Sequence, residues 1–125
     1  MGLSSLPAKS PYSPSMRYAV VPAFVAGAAS VSPGTDKVSE YVIGESVSLL
    51  VPSTLTIADA DSPPIGNYLI SCYSLSLGNT LTIAGSPGGN LGTIAASLTI
   101  PRGLMAWFDG TNWIFNGYCY LQSRG

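Results

Sequence analysis

The chain has 125 residues, a formal net charge of -1, 46% hydrophobic and only 9% charged residues, 14 glycines, 10 prolines, two cysteines and no histidine. That length suits one domain and excludes two large ones, and the composition is too apolar and too weakly charged for a disordered tail. Five scattered cations (Lys9, Arg17, Lys37, Arg102 and Arg124) form no nucleic-acid patch, and the absence of histidine removes Ser-His-Asp and Cys-His centres and imidazole zinc sites.

Residues 1–37 carry Pro7, Pro11, Pro14, Pro22 and Pro33 among many serines. Proline fixes φ and pushes its predecessor towards extended backbone, so no helix is expected there. Within this segment, residues 18–31 resemble the apolar core of a signal peptide. The proline-rich stretch before them is long, however, and the run is shorter than the roughly 20 apolar residues that span a bilayer. The segment reads as an extended apolar arm with no membrane role. Its large side chains, Tyr12, Met16, Tyr18, Val20, Val21, Phe24 and Val25, need a partner surface, because exposed apolar area costs about 25 cal/mol per Å².

From residue 38 to 125 the pattern becomes short β runs between turns. Tyr41–Ile43 stops at Gly44, Ser46–Val51 at Pro52, and Thr54–Ile57 alternates with period two before the Ala58–Pro64 loop. A longer strand is expected over Asn67–Leu77, then Thr80–Ile83, Ile94–Ile100, Leu104–Phe108, Trp113–Phe115 and Tyr118–Leu121. The Asp109-Gly110-Thr111-Asn112 tetrapeptide is a hairpin signal. About eight strands with turns at about ten-residue intervals predict an all-β fold, a small antiparallel β-sandwich or barrel of jelly-roll type. Leu-Thr-Ile recurs at 55–57, 81–83 and 98–100, but unequal spacing argues against a solenoid repeat. The triplet reads as a half-buried strand, Leu and Ile on one face and Thr on the other, with stacked, equivalent strands in a trimeric assembly as the alternative.

Chemistry is sparse. Gly85–Gly92 lacks the Lys-Ser/Thr ending of a phosphate loop. Asp59 and Asp61 are too few for a calcium loop. Glu40 and Glu45 flank a strand, but only their spatial separation could make them a glycosidase pair. No catalytic residue, cofactor or metal is expected. Cys72 and Cys119 read as two reduced, buried thiols, with a disulfide as the alternative. The aromatics are more informative. Trp107 and Phe108 must point to opposite faces, as must Trp113 and Ile114, so one face of the last hairpin presents aromatic surface beyond the core. Trp107, Phe108, Trp113, Phe115, Tyr118 and Tyr120 are the candidates for subunit contact.

The stretch Leu98-Thr99-Ile100-Pro101-Arg102-Gly103-Leu104-Met105-Ala106-Trp107-Phe108-Asp109-Gly110-Thr111-Asn112-Trp113 resembles the strand–turn–strand endings of tailed-phage head-decoration (cement) proteins and of fibre or tailspike modules. Asn79–Gly85 fits the same style, and the resemblance spans roughly residues 46–116. It implies a non-catalytic homotrimer on the outer capsid surface of a virion, with the major capsid protein as partner. The arm lies outside the resemblance. An alternative in the same class is a head or tail fibre module that binds a host receptor or glycan.

Overall fold

The computed structural model describes residues 8–9, 17–44, 48–49, 51–73, 76–77, 80–94 and 103–119. Twelve strands run through them in the order β1 (Ala8–Lys9), β2 (Arg17–Val20), β3 (Ala28–Val31), β4 (Glu40–Ile43), β5 (Ser48–Leu49), β6 (Ser53–Ala58), β7 (Gly66–Cys72), β8 (Ser76–Leu77), β9 (Leu81–Ser86), β10 (Gly89–Ile94), β11 (Gly103–Phe108) and β12 (Trp113–Cys119). One helical turn, α1 (Pro33–Asp36), separates β3 from β4; proline starts it, and Lys37 closes it in the left-handed region, its N–H donating to the Pro33 carbonyl. The fold is all-β.

The strands assemble into three sheets. The first has the order β1-β2-β4-β7-β11-β12, the second β10-β9-β6-β3, and the third pairs β5 with β8. Period-two alternation sets the faces. In β6, Ser53, Leu55 and Ile57 point inward while Thr54, Thr56 and Ala58 face outward. In β9, Leu81, Ile83 and Gly85 do the same opposite Thr82, Ala84 and Ser86. The core gathers these with Tyr41 and Ile43 of β4, Ile70 and Cys72 of β7, Leu49 of β5, and Leu104, Ala106 and Phe108 of β11. Each fully buried Leu or Ile stabilises such a core by about 1.5–3 kcal/mol.

Pairing between consecutive units is parallel. β4 lies beside β7, β5 beside β8 and β6 beside β9, each parallel to its mate. The chain therefore makes two stacked coils, β4-β5-β6 and β7-β8-β9, with a step of 28 residues from Leu49 to Leu77 and from Leu55 to Ile83. β2 and β3 add parallel strands to the first and second sheets at one end of the stack. The antiparallel strands β10, β11 and β12 finish the other end.

The all-β class agrees with the sequence, with two departures from the antiparallel sandwich or barrel expected there. Five of the described strand pairings are parallel, and the sheets do not close. A parallel neighbour needs a crossover of about a dozen residues or more. Here the crossovers are themselves strands of other sheets, so consecutive strands from β4 to β9 fall in different sheets rather than pairing as hairpins. Of the long strand expected over 67–77, β7 ends at Cys72 and β8 belongs to a different sheet. The Leu-Thr-Ile echo does lie on stacked strands, but two residues out of register: Leu55 meets Ile83, not Leu81. A shift of two preserves which side chains face inward, and only a shift of one would invert them. Residues 98–100 lie outside the described residues.

The expected boundary at residue 37 does not coincide with a structural break. From Arg17 onward the segment is built into the sheets through β2 and β3. Val21 lies in the core and Phe24 packs against it, Tyr18 is half-buried, and Val20 and Val25 are exposed. Tyr12 and Met16 lie outside the described residues.

Candidate functional site

The β11–β12 hairpin turns at Asp109-Gly110-Thr111-Asn112 for a local reason. The Asp109 carboxylate accepts hydrogen bonds from the backbone N–H groups of Thr111 and Asn112, both at 2.7 Å, and its own N–H donates to the Asn112 carbonyl at 3.1 Å. This is an Asx turn. The N–H groups of Asn112 and then Thr111 hold the Asp109 carboxyl below its ordinary value.

Trp113 follows at once and anchors the hairpin. Its indole meets Tyr68 edge-on at 5.0 Å and Phe108 at 4.7 Å, and its backbone N–H donates to the Pro87 carbonyl at 3.2 Å. The glycine-rich turn after β9 is therefore a seat for Trp113 rather than an anion loop. Side chains at Gly85 or Gly88 would overlap Trp113. The buried Trp113 indole N–H has no acceptor among the described residues.

The alternation expected of the hairpin is present. Phe108 and Trp113 point inward and are 3% and 2% exposed, whereas Trp107 and Ile114 point outward. Phe108 and Trp113 therefore leave the set of subunit-contact candidates, because this chain's own core uses their surface. Trp107 remains 36% exposed, Phe115 42% and Tyr118 43%. Tyr120 lies outside the described residues.

These exposed rings fall on two surfaces. Phe115 and Tyr118 contact each other at 4.9 Å on the inward side of β12, beside β10, where the Thr93 N–H donates to the Tyr118 hydroxyl oxygen at 3.2 Å. Trp107 stands on the outer face, between Asn67 of β7 and Ile114 of β12 in register. There Asn116 Nδ2 donates to Asn67 Oδ1 at 2.6 Å, so the amide pair spans β11 beside Trp107. A groove of about 660 Å³ adjoins Asn67, with Lys37, Ser39, Pro64 and Ile65 among its walls. Asn67 and Asn116 escaped the sequence reading because only the β7-β11-β12 adjacency joins positions 49 residues apart.

The acidic candidates do not converge. Glu40 is 0% exposed, with Oε2 accepting from Ser71 Oγ at 2.7 Å and Oε1 without a partner among the described residues. A carboxylate so enclosed meets no substrate. Glu45 lies outside the described residues. Asp61 Oδ2 accepts from Thr35 Oγ1 at 2.6 Å, which ties the Asp59–Pro64 loop to α1. Among the described residues no group of three His, Cys, Asp or Glu is placed to hold a metal. Cys72 and Cys119 are both thiols with no disulfide between them, and burial raises the pKa of Cys119. No described helix is long and apolar enough to cross a membrane.

Compared with known protein families, with characterised proteins and with solved structures, the chain has no match.

Proposed function

We propose that this chain is a non-catalytic structural protein that decorates and stabilises the outer surface of a viral capsid as a homotrimer. The observation that carries the reading is the edge of β12. Among the described residues this seven-residue strand pairs with β11 alone, contains no charged residue and no proline, and leaves Phe115 and Tyr118 exposed. Natural proteins usually protect such an edge with charge, proline or shortness. An edge left open suits permanent assembly, and it agrees with the low charge of the chain and with the resemblance around Leu98–Trp113.

Area decides how far the rings alone can act. At about 200 Å² for each aromatic side chain, the exposed parts of Phe115 and Tyr118 amount to roughly 170 Å². A stable interface buries about 800 Å² per partner. The remainder must come from the β12 backbone edge and from further surface, such as the uncharged Thr54, Thr56 and Thr82 face of the second sheet. Copies held side by side on a shell need less, because neighbouring contacts act at high effective concentration.

The test is the copy number in purified particles, by calibrated mass spectrometry against the major shell protein. Hundreds of copies in simple ratio to that protein support the reading. A handful of copies point instead to a fibre, and absence removes the virion role. Phe115→Lys with Tyr118→Lys is expected to lower occupancy without unfolding the chain.

A further inference from the structure

We infer that the outer face around Trp107, Asn67 and Asn116 is a binding platform for a neutral carbohydrate. The inference depends on neither the trimer nor the capsid location, since it uses the opposite face of the sheet from Phe115 and Tyr118. It can fail while the decoration reading stands, and the reverse.

Three features meet there. The first is an aromatic platform: Trp107 projects outward from the centre of a three-strand surface, with Asn67 and Ile114 as its cross-strand neighbours. It is exposed although its strand neighbours Ala106 and Phe108 are core. An indole face attracts the C–H side of a pyranose ring through dispersion and its π quadrupole.

The second is the amide pair. Asn116 Nδ2 donates to Asn67 Oδ1, which uses one group of each side chain. Asn67 then presents its NH2 and Asn116 its carbonyl, one donor and one acceptor held together across β11. Exchanging O and N in both amides leaves the same offer. A vicinal diol has the same dual character, each hydroxyl donating and accepting. Holding the two amides in one orientation before binding lowers the ordering cost.

The third is the neighbouring groove. It begins at Asn67 and has a volume of about 660 Å³, within the usual 300–1,000 Å³ for small-molecule clefts. Ser39 and Ser62 lie on its walls, and among the described residues Lys37 is the one charged side chain lining it. Recognition here rests on amides and hydroxyls rather than on a cluster of cations. That favours neutral sugars over sulfated or phosphorylated ones.

The experiment uses the full chain on an array of neutral and acidic glycans, followed by isothermal titration calorimetry with the best-bound oligosaccharide, a readout that does not depend on Trp107. Binding to neutral members is expected. Trp107→Leu keeps an apolar side chain but loses the stacking face, and should weaken binding at least tenfold. Trp107→Tyr retains that face and should stay within about tenfold of the parent. Asn116→Ala should weaken binding comparably to Trp107→Leu, whereas Phe115→Ala on the other side should not change it. Urea midpoints establish that each variant is folded. No binding across the array, binding only to acidic members, or full binding by Trp107→Leu each overturns the proposal. So does a change in oligomeric state caused by Trp107→Leu without loss of glycan binding, which would make this face a subunit contact.

Discussion

Gly85→Ala tests the contact that couples the β9–β10 turn to the last hairpin. Gly85 is buried on the inward side of β9, beneath Trp113. A methyl built there lies 2.4 Å from Trp113 Cβ, 2.8 Å from Cγ and 3.0 Å from Cδ1. Ordinary carbon contacts are about 3.5–4.0 Å, so the overlap is about an ångström. The backbone of Gly85 is not among the left-handed positions, so steric overlap alone sets the cost. One methylene too many in a packed core costs about 1–3 kcal/mol. This site belongs at the upper end, because the closest obstacle is a Cβ fixed to the β12 backbone and not a rotatable side-chain tip. We expect a loss of about 3 kcal/mol out of the roughly 5–15 that a domain possesses. That corresponds to roughly 12 °C in Tm for a chain of this length. Urea unfolding followed by fluorescence reads the difference, and Gly44→Ala is the control, since a Cβ there meets nothing within 4 Å. Trp113→Ala should not rescue Gly85→Ala, because the Cβ it keeps is the nearest atom. A Gly85→Ala variant within about 0.5 kcal/mol of the parent, the usual range for a neutral change, would refute the packing argument.

Three further outcomes follow from the polar groups. Ser71→Ala removes the donor to buried Glu40 and should cost about 1–3 kcal/mol, while Ser71→Ala with Glu40→Met should recover most of it, as read by urea midpoints. The Asp109 carboxyl titrates below its ordinary 3.8 when folded, so its stabilisation is present above that value and is lost as pH falls through the lower, folded one. Asp109→Ala should therefore flatten the acid limb of the stability profile below about pH 4, whereas an unchanged limb would assign acid sensitivity elsewhere. Burial first, and the neighbouring Asp36 charge second, push the Tyr41 hydroxyl far above its usual 10.0. A raised folded value means that stability is intact below pH 10 and declines above it, so Tyr41→Phe should withstand alkaline titration better than the parent, followed by circular dichroism.

Much of the local architecture was legible in the residues. Thr54–Ala58 and Leu81–Gly85 alternate as half-buried strands must, and the core keeps Leu55, Ile57, Leu81 and Ile83 on its side. Asp109–Asn112 turns where its composition says it should, because an aspartate can satisfy the next backbone N–H groups by itself. The opposite facings of Trp107 and Phe108, and of Trp113 and Ile114, follow from the pleat alone.

Strand partners are a different kind of information. Alternation fixes which side chains face in, but it is blind to whether a neighbour is parallel or antiparallel, and a two-residue shift leaves it unchanged. That is why the Leu-Thr-Ile echo gave no measure of the coil step, and why apolar residues after Arg17 looked like a detached arm until β2 and β3 found β4 and β6. The burial of Glu40 against Ser71 depends on β4 lying beside β7. The Asn67–Asn116 pair beside Trp107 depends on β11 lying between β7 and β12. Local sequence determined the strands, the turn and the inward faces, because backbone sterics and nearest-neighbour hydrogen bonds act within a few residues. Only the tertiary structure decided which aromatics are core and which are surface, because that follows from long-range pairings that bury one face and leave the other in water.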